Sequence, residues 1–81
     1  MKIAEMVNML NSGDYKERFK GEYLELNERT ERLSVMLKKY KVGTLDFDPL
    51  CSYEILKGQL TAMKLYLAYL EARSKIEGIK L

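Results

Sequence analysis

The densest chemistry in the sequence lies in Asp14-Tyr15-Lys16-Glu17-Arg18-Phe19-Lys20, where two aromatic rings and three cations stand together. If this stretch opens a helix, its free backbone N–H groups and the positive end of the helix dipole favour an anion there. Tyr15 can then stack on a base while Lys16, Arg18 or Lys20 meets phosphate oxygens. The plainer reading makes Tyr15 and Phe19 the start of a core seam, with the cations flanking it. Further along, Arg29 and Arg32 are also available to phosphate, although Glu25 and Glu28 stand one turn before them and can pair with them.

Catalysis has much less to work with. There is no His, the commonest general base and zinc ligand, and the one Cys (Cys51) has no His to activate it as a nucleophile. The pairs Glu22/Glu25 and Glu28/Glu31 lack the His that a di-metal helical site requires, and they lie among Arg and Lys, as on a solvated, ion-paired helix face. The five glycines are isolated, so no phosphate-cradling loop is present. The expectation is a protein that is not an enzyme and needs no metal or cofactor.

The elements that position these residues follow from periodicity. One Pro and few β-branched residues among 81 favour helix throughout, hence an all-α fold. Ile3, Met6, Val7 and Leu10 give a short first helix over about 1–11, stopped by Asn11-Ser12-Gly13, with Asp14 poised to cap the next. A second helix over about 15–41 carries Phe19, Tyr23, Leu26, Thr30, Leu33, Leu37 and Tyr40 at alternating spacings of 4 and 3, a heptad seam centred on a Thr. Gly43 breaks it, and Asp48-Pro49 suggests a cap and first position for a third helix over about 50–77. Cys51 then falls just inside that helix as a packing residue. Leu56, Leu60, Met63, Leu67 and Leu70 repeat the heptad spacing, so the two long helices form an antiparallel αα-hairpin within a single helical domain spanning 1–81. Mid-helix Gly21 and Gly58 mark either close helix crossings or unoptimised positions.

The third helix has more apolar surface than one seam uses. On a wheel of 100° per residue, Ile55, Ala62, Leu65, Tyr66, Tyr69 and Ile76 widen the apolar arc to roughly 200°, against about 100° for a helix with one neighbour. Leu24 and Val35 similarly lie opposite the seam of the second helix. A chain this short is marginal alone, so the excess surface points to a homo-oligomeric helical bundle. The alternative leaves the tyrosine hydroxyls in water and the rest covered by the first helix. A balance of 14 Lys+Arg against 12 Asp+Glu gives no basis for DNA or RNA binding, and the longest apolar run, Leu65–Leu70, falls far short of the roughly 20 residues of a membrane span. One Cys and an acidic start (Met1-Lys2-Ile3-Ala4-Glu5) fit a soluble intracellular protein.

The stretch from Asp14 to Tyr23, with Leu45-Asp46-Phe47-Asp48-Pro49-Leu50-Cys51, Gln59–Tyr66, Glu71-Ala72-Arg73 and Ile76-Glu77-Gly78-Ile79, resembles a widespread group of small helical phage proteins over about residues 14–79. That group is similar to the anti-CBASS sponge family of bacteriophages. The resemblance implies a compact three-helix protein assembled as a homohexamer that sequesters cyclic di- and trinucleotide signals in the cytoplasm of the infected bacterial host. It also implies that Leu26-Asn27-Glu28-Arg29-Thr30-Glu31-Arg32-Leu33 carries the family's phosphate-binding cation, with Arg29 as the match, and that Tyr15 is the upstream Tyr on which bases stack. The sequence departs from the pattern in lacking a Tyr in the first helix and in having few of the family's small residues in the third. A second function fits the same arc and heptads: a structural or host-takeover helical oligomer that binds a protein and no nucleotide. The two differ in whether cations from different subunits converge on a pocket with aromatic walls.

Overall fold

Asp14 begins the longest element by local chemistry: its Oδ1 accepts the backbone N–H of Lys16 at 2.9 Å, satisfying one of the donors a helix start leaves free. The computed structural model describes residues 3–81 and contains three helices: α1 (Ile3–Leu10), α2 (Tyr15–Val42) and α3 (Tyr53–Glu77). The fold is all-α, as the sequence predicts. Met1 and Lys2, placed in the first helix by its periodicity, lie outside the described residues. Gly43 at φ 77° ends α2 and Gly78 at φ 69° ends α3, both in the left-handed conformation that costs glycine little.

The start of α3 differs from the expectation built on Asp48-Pro49. Ser52 is the cap, its hydroxyl accepting the N–H of Ile55 at 3.3 Å, so residues 50–52 precede the helix. Cys51 is consequently exposed in the connecting loop and packs against nothing in a core, which corrects its expected place inside the helix. A serine three residues past the proline offers a hydroxyl that can cap directly, and the chain uses it.

α2 and α3 lie antiparallel along the expected seam. Phe19, Thr30 and Leu37 of α2 and Leu67, Leu70 and Ser74 of α3 are buried, with Tyr23, Leu26, Leu33, Leu56, Leu60 and Met63 half-buried between them. Phe19, Leu70 and Ile79 form the core cluster at the open end of the hairpin. Thr30 is tolerated there because its hydroxyl donates to the Leu26 carbonyl at 2.7 Å, leaving its methyl group to the seam. At the loop end the rings of Tyr40 and Tyr53 meet at 5.6 Å.

α1 packs on the other flank of α2 and, among the described residues, does not touch α3. Gly21 is what permits this crossing. A Cβ built there would lie 2.8 Å from Met9 Cβ and 3.1 Å from the backbone N of Leu10, closer than real side chains approach. Gly58 has nothing within 4 Å of the corresponding position, so it serves no crossing within the chain. Ile55, Leu65, Tyr66, Tyr69 and Ile76 remain exposed, and so does Val35 on α2. Among the described residues, no helix is long and apolar enough to cross a membrane.

Candidate functional site

The residues singled out at the start of α2 separate as the helix turns. Relative to Tyr15, successive steps of 100° carry Lys16 and Lys20 about 100–140° to one side and Arg18 about 60° to the other. Arg18 is engaged structurally: its Nη1 donates to the Ser12 carbonyl at 2.7 Å, tying the start of α2 to the turn after α1. The Ser12 hydroxyl donates in turn to Glu17 at 3.0 Å. Lys16 is exposed and Lys20 half-buried, and neither forms an ion pair among the described residues.

Tyr15 is brought together with residues the sequence did not single out as a site. Its hydroxyl donates to Glu77 Oε1 at 2.7 Å and accepts from Arg73 Nη2 at 2.6 Å, while Arg73 Nε donates to Glu77 Oε2 at 3.0 Å. The Arg73 guanidinium also lies 4.9 Å from the centre of the Phe19 ring, a cation–π contact, and the Tyr15 and Phe19 rings are tilted at 6.4 Å. This clasp fastens the first turn of α2 to the last turn of α3, with the Tyr15 ring still half exposed. The i,i+4 spacing of Arg73 and Glu77 is readable in the sequence; their position opposite Tyr15 requires the register of the hairpin.

Two more tyrosines bridge the same helices. Tyr23 donates to Glu71 at 2.9 Å and Tyr66 donates to Glu22. All three hydroxyls are held above the ordinary tyrosine value of 10.0. For Tyr15 and Tyr66 the main cause is the hydrogen bond to a carboxylate, and for Tyr23 it is burial followed by the bond to Glu71. Glu77 is held below its ordinary value, first by the Tyr15 hydrogen bond and then by that of Arg73. Raised tyrosine values mean that this stabilisation is complete below about pH 10 and is lost as pH rises through the folded-state values. Lowered Glu77 acts oppositely: its share is present above about pH 4.5 and lost as pH falls through the folded value. Thermal unfolding midpoints should therefore stay level between these limits and fall steeply beyond pH 10. A double Tyr23→Phe, Tyr66→Phe variant should show a shallower alkaline fall; an unchanged profile would mean that these bonds carry no stability.

Arg29 stands about 21 Å along the α2 axis from Tyr15 at 1.5 Å per residue, so one subunit does not bring the two side chains onto one small ligand. It pairs with Glu25 at 2.8 Å, and Arg32 pairs with Glu28 at 3.4 Å; both arginine side chains are nearly two-thirds exposed. Their surroundings are more informative than their partners. Arg29 and Arg32 form a ridge between two grooves. One, of about 220 Å³, is lined by Ile3, Met6, Val7 and Leu10 of α1 and by Glu25 and Glu28. The other, of about 310 Å³, is lined by Leu26 and Leu33 of α2 and Gln59 and Met63 of α3. Both arginines border both grooves. Chemically, the ridge offers two guanidinium groups, each paired with a glutamate, beside clefts that mix apolar side chains with Glu25, Glu28 and Gln59.

Residues 13–76 match the protein-family model described as Sequestin. No curated protein matches the chain, and no solved structure does.

Proposed function

From the premise that the chain belongs to the Sequestin family, the anti-CBASS cyclic-nucleotide sponges, we propose that it binds cyclic di- or trinucleotide signals of bacterial defence and sequesters them unchanged. The observation that carries this reading is the exposed Arg29–Arg32 ridge between two grooves with apolar side chains in their walls. A cyclic oligonucleotide presents phosphates joined by sugars, with bases projecting outward, and the ridge has the matching order of charge and cleft. Exposed i,i+4 ion pairs are worth little, so exchanging Glu25 and Glu28 for phosphate costs little. A sponge needs binding energy alone and no group that transforms its ligand, so the protein acts without catalysis. Its site of action is the cytoplasm of the infected host, where such signals are made.

In this reading the separation of about 21 Å is spanned by two subunits of a homo-oligomer, a homohexamer on the family pattern. Arg29 of one subunit supplies charge, and the exposed ring of Tyr15, with Lys16 and Lys20, comes from another. Arg18 contributes mainly by holding the start of α2 in place. Calorimetry against a panel of cyclic di- and trinucleotides and cyclic ADP-ribose species tests the reading. Arg29→Ala should weaken binding by roughly ten- to a hundred-fold, the range for one charge-assisted contact, with the assembly unchanged. Tyr15→Ala should weaken it through lost base stacking. A parent protein that binds nothing in the panel overturns the sponge reading. The exposed apolar face of α3 then favours the second one, a helical oligomer that engages a protein and no nucleotide.

A further inference from the structure

α3 carries a second seam. Ile55, Gly58, Ala62, Leu65, Tyr69, Ala72 and Ile76 follow at spacings of 3 and 4, about 200° round the helix from the buried row, and none is charged. Every one is exposed: Ile55 by 65%, Leu65 by 58%, Tyr69 by 65% and Ile76 by 84%, with Gly58, Ala62 and Ala72 open between them. α1 cannot cover this row, because it packs on the far flank of α2. Gly58 is the telling member. Mid-helix glycine costs about 1 kcal/mol relative to Ala, and nothing within the chain approaches it.

We propose that this row is the contact between two copies of the chain, paired antiparallel about a two-fold axis near Met63 and Lys64. Antiparallel helices place alternate seam positions side by side in layers. With the axis there, the layers are Ile55 with the partner's Ala72, Gly58 with the partner's Tyr69, and Ala62 with the partner's Leu65, each repeated by symmetry. Every layer sets a large side chain against a small one, which close packing requires. A parallel pairing would instead stack Gly58 on its own copy and Tyr69 on its own copy, leaving a void and then a clash. Charge agrees with the antiparallel choice. On one flank of the row, Glu54 near the start of α3 comes beside Lys75 near the partner's end, twice per pair, where the antiparallel helix dipoles also favour each other. Gly58 then has its use, as the space for the partner's Tyr69 ring.

The pairing rests on and deepens the assembly part of the proposed function, and its own test reads the α3 contact rather than nucleotide binding. A two-fold contact of this kind brings a second Arg29–Arg32 ridge into the same particle, and further contacts between pairs would complete a hexamer. Cysteine cross-linking and light scattering test it in a Cys51→Ser background, Cys51 being exposed and outside the row. Ala62→Cys lies within about 5 Å of its own copy along the axis and should form a disulfide-linked dimer on oxidation. Ile55→Cys alone lies about 25 Å from its copy and should not, while Ile55→Cys mixed with Ala72→Cys should. Leu65→Lys, an exposed change that leaves the hairpin intact, should lower the mass of the assembly at least twofold. A parent that scatters as a 9.5 kDa monomer, or an Ile55→Cys variant that cross-links to itself as readily as Ala62→Cys, overturns the pairing. Self-cross-linking of Ile55→Cys overturns the pairing alone, whereas a monomeric parent also removes the shared site; calorimetry on the same protein then shows separately whether nucleotide is bound.

Discussion

Phe19→Ala should leave most of the chain unfolded at room temperature. Phe19 is 3% exposed and packs with Leu70 and Ile79, and Tyr23 and Leu26 close around the cluster. Truncating a buried Phe costs about 3–5 kcal/mol through lost transfer energy and the cavity left behind. A protein of this size commands a few kcal/mol at the low end of the usual 5–15. The same ring supports the Arg73 guanidinium and abuts Tyr15, so its removal also loosens the clasp at the open end of the hairpin. Urea titrations followed by helical circular dichroism should show a transition displaced to low denaturant or absent, whereas Glu31→Ala on the exposed face should stay near the parent. A Phe19→Ala protein with the parent's midpoint would mean that this cluster is not the core.

The second large effect is local. Gly21→Leu should detach α1 while leaving α2 and α3 folded. The added Cβ alone would lie 2.8 Å from Met9 Cβ and 3.3 Å from Leu10 Cδ2, and the rest of the side chain has nowhere to go. Eight residues are too few for a helix to persist unsupported in water, so a displaced α1 melts. Meanwhile α2 exchanges a glycine for a strong helix former, a gain of about 1 kcal/mol. Hydrogen exchange should show α1 amides losing all protection while those near Thr30 and Leu67 keep theirs. The groove lined by Met6, Val7 and Leu10 would lose one wall, and with it any ligand that the Arg29–Arg32 ridge holds there. Retained protection in α1 would show that the crossing can shift to admit a side chain.

These two sites mark how far the sequence could be read. The seams were legible because burial repeats with the helical period: Phe19, Thr30, Leu37, Leu67 and Leu70 are buried where heptad spacing puts them. Gly21 and Gly58 look alike in the sequence and differ only in what lies beside them, which depends on where another helix crosses. The start of α3 was misplaced because Asp48-Pro49 and Ser52 both carry capping chemistry within a few residues, and local propensity does not rank them. For the candidate site, Arg29 and its Glu25 partner were legible as an i,i+4 pair. The Tyr15–Arg73–Glu77 clasp was not, because the hairpin register joins residues 62 apart in the chain, a relation no local pattern encodes. The Arg29–Arg32 ridge needed the same information, since its grooves are made by two different neighbours of α2.

The placement of that clasp also bears on the order of events in time. Contacts beside the α2–α3 loop, such as Tyr40 with Tyr53, close a short stretch of chain and form with little entropic cost. Pairing then spreads from the loop toward the far end, where Tyr15, Arg73 and Glu77 meet across the longest separation in the hairpin. Bonds made that late should be absent from the transition state, so Tyr15→Phe should raise the unfolding rate and hardly change the folding rate in stopped-flow measurements. On that expectation the three residues would act as a brake on opening, lengthening the lifetime of the folded hairpin without hastening its formation.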